Sequence, residues 1–114
     1  MNQEETNRRI AIAHTILSQF AGGRNPNAFT FMAGATKLMA LESGITFKLK
    51  HCEFNTKKIN KVTVVLTPTD EYDVTFSRVW GGKEKVISKY ERIYFDDLPD
   101  IFFKETNLLP FMGY

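Results

Sequence analysis

The chain has a single cysteine, Cys52. One cysteine rules out an internal disulfide and leaves no pair of thiols at zinc-ligand spacing. No apolar run approaches the roughly 20 residues that a membrane helix needs. The opening Met1-Asn2-Gln3-Glu4-Glu5 is acidic and polar, the opposite of a signal peptide's start. Neither sign of charge dominates: 15 basic residues against 13 acidic ones leave a net charge of +2, too balanced to point to nucleic acid by itself. Also missing are a Walker-type loop, a Gly-x-Ser-x-Gly elbow and a dinucleotide fingerprint. These absences lead to the expectation of a soluble, cytoplasmic, non-enzymatic protein with no cofactor, no metal and no membrane association.

What is present suffices for a core. At 114 residues the chain is long enough for one domain without metal or disulfide support. A hydrophobic fraction of 43% and ten phenylalanines suit a folded globule rather than a disordered tail.

The organising stretch runs from Ile45 to Tyr90, where β-branched and aromatic residues are grouped into strands separated by turn residues. In 45–50 the alternation is clean, with Ile45, Phe47 and Leu49 on one face and Thr46, Lys48 and Lys50 on the other. That pattern belongs to an antiparallel sheet with one wet face. Strands are also expected over 62–67, 72–80 and 85–90. Pro68-Thr69-Asp70-Glu71 and Gly81-Gly82 are the hairpin turns between them. Val62, Val64 and Leu66 are expected to share a core face with Tyr72, Val74 and Phe76. Residues 28–33 read as a further short strand, 34–37 as a turn or bulge, and 38–41 as another strand, with helix as the rival for 37–41. Residues 51–61 read as a long polar connection.

Helices flank the sheet. Residues 4–20 carry two adjacent apolar rows at helical spacing, Ile10, Ala13, Leu17 and Ala21 beside Ile12, Ile16 and Phe20. Glu4 and Glu5 suit the first turn, and Gly22-Gly23 stops the helix. His14 lies on or near the apolar stripe and reads as a partly buried packing residue. The last helix spans 96–107, with Asp at its start, Pro99 in the first turn and Asn107 as a left-handed cap. Residues 108–114 form an apolar tail. The expected architecture is therefore α+β: one domain over 1–114, with an antiparallel sheet of five to six strands inside 28–90, between an N-terminal and a C-terminal helix.

Several of these pieces, taken in order, resemble a known group. They are Ile16-Leu17-Ser18-Gln19-Phe20-Ala21-Gly22-Gly23, Phe31-Met32-Ala33-Gly34-Ala35, Ile45-Thr46-Phe47-Lys48-Leu49 and the Leu66-Thr67-Pro68-Thr69-Asp70-Glu71-Tyr72 hairpin, followed by a Tyr-x-Asp-x-Leu stretch from Tyr94 to Leu98. Together they are similar to a family of small uncharacterised proteins encoded by bacteriophages, prophages and other mobile elements. That family's pattern is a helix ending in Leu-Gly-Gly, then Phe-x-x-Met-Thr-Gly-Ala-Lys, then Leu-Thr-Pro-x-Asp-Thr-Tyr. The likeness covers nearly the whole chain in short motifs. Ala33 stands where the family has Thr, Thr36 where it has Lys, and Asn107 where a glycine follows the last helix. The resemblance implies a phage or mobile-element origin and the cytoplasm of a bacterial host cell; it implies no activity.

Two binding roles fit the residues. Lys48, Lys50, Lys57, Lys58 and Lys61, with His51 and only Glu53 among them, suggest a basic ridge along one strand and its following loop that contacts nucleic-acid phosphates. Phe54, Trp80 and Tyr90 are candidates to stack on bases. Alternatively, the tail residues Leu108, Leu109, Phe111, Met112 and Tyr114 dock on a host or phage protein. No catalytic set is expected. Asp70, Glu71 and Asp73 read as a solvated turn, and Asp96, Asp97 and Asp100 as a helix start.

Overall fold

The computed structural model describes residues 2–114, and its topology is an α+β meander. The helices are α1 (Gln3–Phe20), α2 (Pro26–Ala33) and α3 (Leu98–Thr106), the last preceded by a 3-10 turn over Phe95–Asp97. The strands are β1 (Ala35–Leu41), β2 (Gly44–Leu49), β3 (Lys61–Leu66), β4 (Tyr72–Trp80) and β5 (Lys83–Ile93). All five pair antiparallel with their sequence neighbours, in the order β1-β2-β3-β4-β5.

The expected alternation holds in β2, β3 and β4. Ile45, Phe47, Val62, Val64, Tyr72, Val74 and Phe76 are buried on one face of the sheet, with Leu66 packed against them. Thr46, Thr63, Thr75, Lys48 and Lys61 lie on the other face, partly exposed. The register puts Thr46 beside Thr63 and Thr63 beside Thr75, and the first two hydroxyls lie 3.2 Å apart. Gly44 is required by a close approach, since a methyl group there would run into the Val64 carbonyl oxygen.

Residues 28–33 are helical rather than a strand. Asn25 caps α2 by accepting from the Asn27 N–H (2.9 Å), Pro26 occupies the first turn, and Gly34 ends the helix in the left-handed conformation (φ 71°). Phe29 and Ala33, four residues apart, are buried together, while Phe31 points outward. The turn or bulge expected over 34–37 is a bulge inside β1, and the strand expected over 38–41 starts earlier, at Ala35. The four residues from Thr36 to Met39 oppose the three from Lys48 to Thr46, and Lys37 takes φ 52° to absorb the extra one. Strand β5 runs further than the expected 85–90. Its 11 residues pair with the 9 of β4 through two irregularities in register, one at Arg92, where φ is 56° and the N–H is satisfied by Asp73 Oδ1 (3.2 Å).

On α1 the buried face is Ala13, Ile16, Leu17, Phe20 and Ala21. Ile10, expected in the stripe, is exposed, and so is His14, expected near it. His14 follows Ala13 by one residue, a turn of roughly 100° that carries it off the buried face. Tyr72 donates from its hydroxyl to Gln19 Oε1 (2.6 Å), linking α1 to β4. The C-terminal helix ends as expected, with Asn107 in the left-handed conformation (φ 60°).

Four phenylalanines close the core. Phe20 stacks on Phe29 (centroids 4.8 Å apart), and Phe47 and Phe102 meet both rings edge-on at 5.0–6.1 Å. The rings come from α1, α2, β2 and α3, so every layer of the fold contributes one. Edge-on aromatic pairs add about 0.5–1.5 kcal/mol each beyond area burial. Replacing Phe29 with alanine is therefore expected to lower the unfolding free energy by about 3–5 kcal/mol, read from the urea midpoint. A loss under about 1 kcal/mol would show that α2 is not part of the core.

Candidate functional site

The five lysines of the sequence pattern do not form one ridge. Lys48 and Lys61 are register partners on the open sheet face. There Lys61 donates to Glu84 Oε1 (2.8 Å). The Glu84 carboxyl is held below its ordinary value, first by that hydrogen bond and further by the charge of Lys48. Lys57 is paired with Glu105 (2.9 Å). Lys48, Lys50 and Lys58 are in no salt bridge, and of these Lys50 and Lys58 line a groove at the end of the sheet.

The groove is built by the 51–60 connection, which is ordered by two asparagines. Asn55 is buried. Its side chain donates to the Ile59 carbonyl (2.5 Å) and accepts from the Ile59 N–H (3.2 Å), while its own backbone bonds Cys52 and Lys58 (3.1 and 3.0 Å). Lys58 takes φ 57° to close this turn, and Ile59 is driven into the core. Asn60 acts as an extra rung between β3 and β4. Its amide donates to the Val79 carbonyl (2.9 Å) and its carbonyl oxygen accepts from the Val79 N–H (2.7 Å). Both asparagines thus spend their side chains on backbone groups, the usual fate of buried polar atoms in a loop.

The loop is also tethered to α3. Glu105, buried on that helix, accepts from the Ser88 hydroxyl, from the Tyr90 hydroxyl (2.6 Å) and from Lys57 Nζ (2.9 Å). Burial alone pushes its carboxyl up, but the three donors outweigh burial and hold it below the ordinary carboxylate value. The same contact acts in reverse on Tyr90, whose hydroxyl is pushed up to about 12 by burial and by the adjacent Glu105 charge. Asn107 adds a second tether by donating to the Phe54 carbonyl (3.2 Å).

The resulting space is about 230 Å³. Lys50, His51, Lys58 and Arg78 line it with Cys52 and Trp80, and no aspartate or glutamate does. The Arg78 guanidinium lies 5.2 Å from the Trp80 ring centroid. Register places Lys85 beside Arg78 and Lys83 beside Trp80, so both lysines share the groove's face of the β4–β5 hairpin. Cationic side chains with no carboxylate among them suit an anion, and the indole adds a flat apolar surface.

Among the proposed stacking residues, Trp80 reaches the groove. Tyr90 does not: its hydroxyl is committed to Glu105 and its ring packs edge-on against Phe76 (6.1 Å). Phe54 is exposed on the groove loop without lining the groove. Arg78, which lines the groove, and Asn60, which ties its loop to β4, had no place among the residues expected from sequence. The strand pattern treats Arg78 as one alternating polar residue, and Asn60 had no signal beyond its place in a polar loop.

The tail folds back on the domain. Pro110 is buried, Leu108 packs on the core, and Phe111 lies under the Arg24 guanidinium (4.1 Å to the ring centroid). Tyr114 packs on Phe103 and Phe111 and donates to Asp100. Leu109, Met112 and Tyr114 keep exposed surface. Among the acidic candidates, Glu71 accepts from Thr69 (2.9 Å) within the β3–β4 turn, and Asp73 in β4 accepts from the Arg92 N–H. Among the described residues no group of three or more His, Cys, Asp or Glu comes together to hold a metal, and no helix is long and apolar enough to cross a membrane. Comparison with protein families, curated proteins and solved structures finds no match to this chain.

A lowered carboxyl stabilises the fold above its unfolded value, and that contribution is lost as pH falls through the folded value. Glu105→Gln is expected to cost about 1–3 kcal/mol at neutral pH and to make the acid limb of the stability curve shallower, as read by urea unfolding at several pH values. Superimposable acid limbs for the two proteins would show that Glu105 does not carry this linkage.

Proposed function

We propose that the protein is a non-enzymatic binding module that contacts nucleic acid through the cationic groove between the 51–60 loop and the end of β4. The observation that carries the reading is the composition of that groove: Lys50, Lys58, Arg78 and His51 without an acidic residue, in a chain whose other lysine clusters are matched by Glu84 and Glu105. A net charge of +2 conceals this, because the acids are placed elsewhere. Phosphate contacts by such a set give salt-dependent, sequence-tolerant affinity. The family likeness of the sequence, carried over as part of the same proposal, puts this activity in the cytoplasm of a bacterial host cell.

A modulator that occupies a host or phage protein surface through the C-terminal tail is the second reading. It has fewer residues to work with, since Leu108 and Phe111 are turned into the protein's own fold and only Leu109, Met112 and Tyr114 stay on the surface.

The test is fluorescence anisotropy with labelled single-stranded DNA, duplex DNA and RNA at low and moderate salt. Three phosphate contacts predict a log–log salt slope of about −2 on single strands. Replacing Lys50, Lys58 and Arg78 together with serine is expected to abolish most binding and flatten that slope. Replacing Lys48 and Lys61 on the open face is expected to change little. Absence of binding to all three nucleic acids at low salt would remove this reading and leave the tail.

A further inference from the structure

Trp80 is the chain's only tryptophan, and it is spent on the surface. It ends β4 immediately before the Gly81-Gly82 turn, borders the groove and keeps 45% of its area exposed. The neighbouring Arg78 guanidinium lies over the ring, which restrains the indole and gives it a cationic neighbour. Lys83 is its cross-strand partner, and Lys50 and Lys58 line the same groove. An exposed aromatic plane bordered by cations on three neighbouring segments is the pairing of features that single-strand binders use, a stacking platform beside a track for phosphates.

From this we infer that the groove selects single-stranded nucleic acid over duplex, one unstacked base lying on Trp80 while the adjoining phosphates contact Lys50, Lys58 and Arg78. The inference rests on the nucleic-acid reading of the groove and narrows it. A duplex keeps its bases paired and stacked, so it presents phosphates to the lysines but no base face to the indole. The size of the space agrees: about 230 Å³ lies below the roughly 300–1,000 Å³ of pockets for drug-sized ligands, enough for part of one nucleotide and too small to admit a double helix. An acidic peptide satisfies the lysines equally well but makes no use of the indole plane, which is why a polynucleotide is favoured over a polyanion of carboxylates.

The lone tryptophan makes the test direct, because intrinsic fluorescence reports Trp80 alone. Oligo-dT of about 12 nucleotides, within the roughly 4–16 nucleotide sites of such proteins, is titrated into the full chain beside a duplex of equal length and poly-glutamate. The expected result is quenching of Trp80 and tighter binding by oligo-dT than by duplex, with poly-glutamate competing weakly. Trp80→Leu is expected to weaken oligo-dT binding roughly 5- to 100-fold with the salt slope preserved. Trp80→Phe, which keeps a ring, is expected to recover part of the loss, and this separates stacking from any damage to the hairpin. Equal affinity for single strand and duplex, no effect of Trp80→Leu, or poly-glutamate competing as well as oligo-dT would each overturn the inference. Duplex binding that is lost on removing Lys50, Lys58 and Arg78 would still leave the groove a nucleic-acid site. No binding of either nucleic acid at low salt would remove the underlying reading as well.

Discussion

The fold depends on four interlocked phenylalanine rings. Phe20, Phe29, Phe47 and Phe102 are fully buried and come from four different elements, so none of those elements can be withdrawn without opening a cavity beside the other three. A five-stranded meander with helices on one face has only that face to bury. The apolar residues of the sheet point to it, and the threonine and lysine rows are left on the other side. Where α1 and α3 can sit is set by this contact, and α3 in turn sets what reaches the loop that walls the groove.

That second step is made by polar chemistry. Glu105 brings a buried carboxylate to β5 and to the 51–60 loop at once, and its three donors make an arrangement that is costly to break at any one point. Asn55 and Asn60 hold the rest of the loop by bonding backbone rather than solvent. Preorganisation of this kind would serve the proposed binding, since a lysine on an ordered turn gives up less freedom than one on a flexible loop. Charges are sorted by the same scaffold: Glu84 answers Lys61 on the open face, Glu105 answers Lys57 at the helix, and nothing acidic enters the groove.

Much of the fold was legible because its signals are local. Alternation in Ile45–Leu49 and Val62–Leu66 follows from a pleat with period two, and the glycine pair after Trp80 and the asparagine after Thr106 follow from backbone geometry. Local reading went wrong at residues 28–33, where Phe29, Thr30 and Phe31 favoured a strand by propensity. Asn25 as cap, Pro26 in the first turn and Gly34 as terminator were the better evidence, because they report helix ends rather than average preference. The groove was half legible: Lys50, Lys58 and Trp80 stand out by type, but nothing nearby in sequence separates Lys50 from Lys48, or Lys58 from Lys57.

The sequence by itself determined strands β2 to β4, the amphipathic first and last helices and the α+β class, because those depend on short-range patterns. Tertiary structure alone decided which lysines keep an uncompensated charge. Lys57 meets Glu105 across 48 residues and Lys61 meets Glu84 across 23. Charge pairing acts through space at a few ångströms, so it is fixed only when strand register and helix docking bring distant residues together. Arg78, remote in sequence from Lys50 and Lys58, joins them for the same reason, through the pairing of β3 with β4 and the asparagine rung that extends it.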